Sequence, residues 1–231
     1  MNSPKYNRTF HLPWSPGGTS DDKIATDLSY LINGDIVITE KMDGSNTSLE
    51  SNGCFARTHA GPPTHLSFDG LKAFHSTIKY KIPKGVQLFG EWLYAKHSIS
   101  YDALPHHFML FNVRELKETT DQYPLKHWNE TSFWASWEMV KTWAEELEIP
   151  TVPELYKGKV SSEKELKDLV ESLMIQPSMC GGIREGVVVR IQEEFTDSAF
   201  QFCVMKYVRA NHVQTSEHWK DQEIIKNKLK L

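Results

Sequence analysis

Three cysteines in 231 residues, Cys54, Cys180 and Cys203, are too few and too scattered for a disulfide framework. No Cys-x-x-Cys pair occurs, and His59, His65, His106 and His107 follow no metal-ligand spacing, so a dedicated zinc site is not expected. No apolar run is long enough to span a membrane, and the polar N-terminus, rich in Pro, Asn and Ser, carries no signal peptide. A reduced, cytoplasmic protein without membrane association is the expectation. Neither sign of charge dominates: 26 basic and 30 acidic side chains leave a net charge of −4. That excludes a generic polyanion-binding surface, so any nucleic-acid footprint must be local. Internal repeats, low-complexity tracts and a Pro/Gly/Ser linker are also missing, which leaves nothing to divide the chain.

What is present suits one domain. The chain is 39% hydrophobic and 11% aromatic, enough for a core. Residues 20–32 read as a helix capped by Ser20, with Ile24, Leu28 and Leu31 as its stripe and Asn33-Gly34 as its stop. A β-branched strand, Ile36-Val37-Ile38-Thr39, leads to Lys41. Asn52-Gly53 predicts a hairpin between 46–50 and 54–58, which pairs Ser51 with Cys54, Ser48 with Arg57 and Asn46 with His59. Asn46, Ser48, Arg57 and His59 should then share one face beside the lysine. Residues 67–78 read as a helix, 86–91 and 108–113 as strands. Residues 131–147 read as a helix whose tryptophans, Trp134, Trp137 and Trp143, belong to the core. Ser162 to Glu165 forms a capping box ahead of Leu166, Leu169, Val170 and Leu173. Residues 187–191 and 202–208 are the last strands, and the tail after Asn211 looks helical. The class is α+β, mainly antiparallel sheets packed with helices.

Two stretches could supply a local basic footprint. Arg57, Lys72, Lys79, Lys81, Lys84 and Lys96 face only Asp69 and Glu91 across residues 57–97, and the chain from Lys206 onward has six basic and three acidic residues.

Five short motifs stand in order along the chain. They are Glu40-Lys41-Met42-Asp43-Gly44-Ser45-Asn46, Phe89-Gly90-Glu91-Trp92, Phe108 to Val113, Arg184-Glu185-Gly186-Val187-Val188-Val189-Arg190, and Val204-Met205-Lys206-Tyr207. Together they resemble the ATP-dependent RNA ligases of the covalent nucleotidyltransferase superfamily, in a form similar to the nick-sealing type. The resemblance implies a nucleotidyltransferase (ATP-grasp-like) domain over residues 36–210. Residues 1–35 are expected to pack on it and residues 211–231 to form a helical tail; the few residues after the last motif lead to the expectation of no appended OB domain.

The resemblance also implies roles. Lys41 is the expected nucleophile, forming a lysyl-AMP adduct from ATP. A free lysine is protonated at neutral pH, so nearby cations, including a bound metal and Lys206, are expected to lower its pKa. Gly44 lets the chain turn sharply and lets phosphate approach the backbone. Asp43 orients the loop or holds a metal-bound water. Glu91 accepts from the ribose hydroxyls, Phe111 stacks on adenine, and Glu40 helps to read the adenine amino group. Glu185, at the mouth of an apolar strand, would hold Mg²⁺ or Mn²⁺. Lys206, a charge on an apolar strand, would meet the triphosphate. Arg57 and Asn46 complete the nucleotide site. The family often carries a second lysine two residues from the first; here Val204 and Val208 flank Lys206, and Arg209 is the remaining candidate. The implied substrate is RNA or an RNA-containing nicked duplex, handled by a monomer, with a protein partner as a source of further nucleic-acid surface. A minimal ATP-dependent DNA ligase and a catalytically silent nucleic-acid-binding module are the alternatives.

Overall fold

The computed structural model describes residues 5–58, 61–116, 132–210 and 224–230. Its strands are β1 (Phe10–His11), β2 (Asp35–Lys41), β3 (Ser45–Glu50), β4 (Gly53–Ala56), β5 (Val86–Trp92), β6 (Phe108–Leu116), β7 (Ser132–Trp134), β8 (Glu154–Lys159), β9 (Gly186–Ile191), β10 (Phe195–Thr196) and β11 (Val204–Val208). The helices are α1 (Ser29–Asn33), α2 (Asp69–Ile78), α3 (Trp137–Glu146), α4 (Glu163–Met174) and α5 (Phe200–Cys203). One sheet has the order β1-β11-β9-β2-β8, the other β10-β7-β6-β5-β3-β4. Within them only β1 and β11 run parallel, so the mainly antiparallel α+β reading stands.

Alternation along the strands sorts side chains into layers. On the first sheet Ile36, Ile38, Val187, Val189 and Met205 pack with Leu31 of α1 and Leu166, Val170 and Leu173 of α4. On the second, Leu49, Leu88 and Leu110 pack with Leu71 and Ile78 of α2 and Trp137 and Val140 of α3. The opposite faces of both sheets meet at one end in a third cluster, Phe89, Trp134, Phe195, Phe200, Cys203 and Val204. The tryptophan-rich segment is thus core, as expected. The three cysteines are free and buried.

Several local expectations need correction. Residues 20–28 are not helical; only α1 is. His11 N donates to Lys23 O at 2.7 Å and Ala25 N donates to His11 O at 2.8 Å. Pairing beside β1 therefore claims the backbone a helix would need, and Ile24 is 55% exposed rather than part of a stripe. Ser132–Trp134 is a strand on β6, and the helix starts only after Ser136, whose hydroxyl accepts from Met139 N at 3.2 Å. Residues 200–203 turn as α5 before β11 begins. The Ser162 cap holds, its Oγ accepting from Glu165 N at 3.2 Å, but the Glu165 carboxylate reaches back to Ser161 N at 2.8 Å rather than to Ser162. The hairpin turns one residue earlier than Asn52-Gly53 suggests, pairing Leu49 with Cys54 and Ser48 with Phe55. That moves every pair by two, so facing parity survives and Asn46 and Arg57 stay on one side. His59 lies outside the described residues. So does most of the expected C-terminal helix; the described part of the tail instead forms bridges, Lys226 to Ala95 and Leu229 to Leu104.

Candidate active site

A cavity of about 490 Å³ opens between the inner faces of the two sheets. Lys41 ends β2 opposite Gly186, which brings Glu185 alongside it. Lys41 Nζ donates to Glu185 Oε1 and Oε2 at 2.9 and 2.8 Å. Gly186 is required there because a Cβ would lie 2.1 Å from Tyr207 O. The Lys41 side chain keeps 28% exposure, towards the cavity, while Glu185 keeps 5%. Burial disfavours the lysine's charge, but Glu185, then Glu91 and Asp43, outweigh it, and its pKa is raised. Lys206 alone thus does not lower it, because the lysine's nearest charged neighbours are carboxylates. Burial likewise raises the Glu185 pKa, against the pull of Lys41.

Glu91 lies across from Asn46 on β3. Its Oε1 accepts from Gly44 N at 3.1 Å. Burial, eased by Lys41 but reinforced by Glu185 and Asp43, pushes its pKa up to about 8. Gly44 serves a close approach rather than a special turn: a Cβ there would sit 2.6 Å from Trp92 O and 2.8 Å from Leu93 Cδ2.

Asp43 is bracketed by backbone. Its Oδ2 accepts from Ser98 N and Ile99 N, both at 2.7 Å, and its own N–H gives to Tyr101 Oη at 2.9 Å. Of the two expected roles this favours orienting the loop. Tyr101 is fixed in turn by the C-terminal strap: its N–H gives to Asn227 Oδ1 at 2.9 Å, and Asn227 Nδ2 gives to Leu93 O at 2.9 Å. No sequence signal marked Tyr101 or Asn227. Burial holds the Tyr101 phenol well above its ordinary pKa.

Phe111, Asn46 and Arg57 all line the cavity. Tyr6 meets Phe111 edge-on, with centroids 5.2 Å apart, and accepts a hydrogen bond from Asn112 Nδ2 at 3.3 Å. Beneath them Arg190 is fully sequestered: it donates to Asn112 Oδ1 at 2.9 Å, Ala135 O at 2.6 Å and Ile191 O at 3.0 Å. Burial pulls its pKa down to about 10. Glu40 is buried; Oε2 accepts from Met179 N at 3.0 Å and faces Arg184 Nε at 3.5 Å. Its Oε1, like Asn46 Oδ1, has no hydrogen-bond partner among the described residues.

Lys206 points into the cavity from β11 and sits 3.3 Å from Asp22 Oδ1. Burial lowers its pKa, with Lys41 and Arg57 helping and Asp22 opposing. Arg209 does not line the cavity; its N–H gives to Glu185 O at 3.1 Å instead. Among the described residues no group of three or more His, Cys, Asp and Glu could hold a metal. A single divalent ion held by Glu185 with phosphate oxygens remains compatible with this carboxylate, which stands beside the cavity-lining Lys41 and, among the described residues, carries only that lysine on its two oxygens. Asp43, with one oxygen committed to two amides, fits direct ligation poorly.

The RNA ligase family model matches residues 34–208. The chain belongs to the RNA ligase family. No curated protein sequence matches it. Among solved structures, an AMP- and manganese-bound mutant of Naegleria gruberi RNA ligase is similar at TM-score 0.56 and 11% identity, over 93% of this chain and 58% of that one. An archaeal ATP-dependent RNA ligase is similar at TM-score 0.51 and 14% identity, over 89% of this chain and 48% of that one. This chain thus spans about half the length of those proteins. At such identities the likeness is one of fold, that of a ligase nucleotidyltransferase domain.

Proposed function

We propose that the protein is an ATP-dependent polynucleotide ligase acting on RNA, through a lysyl-AMP intermediate on Lys41. The observation that carries this reading is the convergence of Lys41, Glu91 and Lys206, three residues from separate motifs, on one cavity wide enough for a nucleotide, with Glu185 of a fourth motif hydrogen-bonded to Lys41. Such a cavity has an apolar ring, Phe111, for a base, and carboxylate acceptors, Glu91 and Glu40, for hydroxyl or amino hydrogens. Lysines serve its phosphate end.

On this reading Lys41 Nζ, once deprotonated, attacks the α-phosphorus and pyrophosphate leaves. AMP then passes to a 5′-phosphate end, and a 3′-hydroxyl displaces it as the phosphodiester forms. Each step is an in-line displacement at phosphorus, so catalysis lies in positioning and charge. Gly44 fixes the Lys41 turn against β5, and Asp43 fixes it against residues 98–101. A divalent ion held by Glu185 would offset phosphate charge and weaken the grip of that carboxylate on Lys41.

The test is transfer of label from α-labelled ATP to protein, followed by chase with nicked duplexes of defined RNA or DNA ends. Label on wild type but not on Lys41→Ala, and sealing that prefers an RNA 3′-hydroxyl end, are expected. Label retained by Lys41→Ala would displace the nucleophile, and sealing confined to all-DNA nicks would make the enzyme a DNA ligase.

A further inference from the structure

Lys206 enters the cavity with a carboxylate already attached. Its Nζ lies 3.3 Å from Asp22 Oδ1, the two side chains are 22% and 23% exposed, and both line the cavity. Asp22 precedes the span matched by the family model and comes from the segment alongside β1. It is held firmly. Thr19 N and Oγ1 donate to its Oδ2 at 3.1 and 3.0 Å, and His11 Nε2 is 3.4 Å from its Oδ1. An anion is thus fixed at the end of the cavity where Lys206 and Arg57 provide positive charge. Any phosphate arriving there meets a lysine that is occupied and a carboxylate that repels it.

We infer that Asp22 is a built-in competitor for the phosphates of the incoming nucleotide: the resting partner of Lys206, displaced by the triphosphate and restored when pyrophosphate leaves. The inference rests on the ATP-using reading of this cavity and deepens it. In the first step Lys41 Nζ forms the N–P bond, its proton passes to solvent, and the bond from the α-phosphorus to the bridging oxygen breaks with its electron pair on pyrophosphate. Pyrophosphate then leaves Lys206 without an anion. Asp22 retakes it, so returning pyrophosphate finds no free lysine. Asp22 therefore weakens ATP binding and, in exchange, opposes reversal of adenylylation. A purely structural Asp22, or one that held a metal against the phosphates, would have the opposite sign: its loss would weaken nucleotide binding.

The test uses Asp22→Asn, which keeps shape and an oxygen acceptor for Thr19, with Asp22→Ser as a second neutral variant and Asp22→Glu as the charge-retaining control. Three quantities are measured on the full chain: half-saturating ATP for label uptake, half-maximal pyrophosphate for return of label to ATP, and the pyrophosphate dissociation constant of the unlabelled protein by calorimetry. In the neutral variants each is expected to fall about fivefold, the scale of one partly exposed ion pair with its repulsion removed, while Asp22→Glu stays near wild type. Unchanged or weakened binding in the neutral variants, or a Glu variant that behaves as they do, would overturn the inference. If wild type takes up no label, the ligase reading fails, and the calorimetry still decides the role of Asp22.

Discussion

Replacing Glu91 by Gln should make the protein more stable at neutral pH and leave it unable to use nucleotide normally. The glutamate carboxyl is held up to about 8 against an ordinary 4.5, first by burial and then by Glu185 and Asp43, with Lys41 opposing. The folded state therefore binds this proton more tightly than the unfolded chain. Between pH 4.5 and 8 the unfolded chain releases it and the folded state does not, so stability falls as pH rises through that window and levels off above it. Each pH unit costs about 1.4 kcal/mol, so by pH 7 the full loss is about 3 kcal/mol. The side chain is only partly buried, and solvent screening trims this to about 2 kcal/mol. Gln imitates the protonated acid and still accepts from Gly44 N. Urea melts of both proteins at pH 4.5, 6, 7 and 8 should coincide at the lowest pH and separate by about 2 kcal/mol at pH 7, or roughly 4–8 °C in Tm for a chain of this size. A gap that does not change with pH, or a wild type that is the more stable at pH 7, would refute the argument. The same variant should discriminate less between ATP and 2′-deoxy-ATP if the proposed ribose contact is correct, which is the exchange of stability for function expected of an active-site acid.

Glu185→Gln removes the anion that most strongly keeps Lys41 protonated, so modification of Lys41 by an amine-reactive reagent, followed by mass spectrometry, should shift to lower pH; a shift to higher pH would contradict the charge arrangement. Tyr101→Phe deletes the hydroxyl that accepts from Asp43 N, and the maximal rate of AMP uptake should fall about tenfold with half-saturating ATP unchanged, because the nucleophile turn loosens while the nucleotide contacts remain. Arg190→Met strips donors from Asn112 Oδ1 and Ala135 O in the interior, and thermal or urea melts should register a loss of about 2–4 kcal/mol.

The parts of the site that were legible in the sequence are those where strand pattern and chemistry coincide. A β-branched run ending in Lys41, an apolar strand beginning after Glu185, and Lys206 inside another apolar run each marked a charge on or beside one of the neighbouring strands β2, β9 and β11. Register carried the rest: a misplaced turn at Asn52-Gly53 still put Asn46 and Arg57 on one side, because the error was even in the pairing. The illegible parts are held by contacts far apart in sequence. Asp22 sits in what looked like a helix; it closes a turn on Thr19, and just beyond it β1 claims the backbone of Lys23 and Ala25. Tyr101 and Asn227 fix the Lys41 turn across 126 residues of sequence, through hydrogen bonds that no periodicity records. The β8 edge, Glu154–Lys159, alternates lysines with a glycine and reads as loop until β2 supplies its partner.

The resting electrostatics bear on how such a site could spend binding energy. Lys41 is paired with Glu185, and Lys206 with Asp22. Both cations that the proposed reaction needs are therefore engaged before any nucleotide arrives. A ligand that bound without disturbing these pairs would gain little from either lysine, and Lys41 would stay protonated and inert. Phosphate can draw Lys206 from Asp22, whereas Glu185 gives up Lys41 only to another positive charge, and the energy released at both places goes into breaking the two pairs instead of into tight ground-state binding. Burial helps unequally. It lowers the Lys206 pKa even beside Asp22, whereas at Lys41 three carboxylates overcome it. Lys206 is thus the more easily exchanged of the two, and Lys41 the one whose release requires positive charge brought in with the substrate. On the proposed reading this ordering lets the phosphates dock on Lys206 first and the nucleophile become free only once the α-phosphate lies beside it.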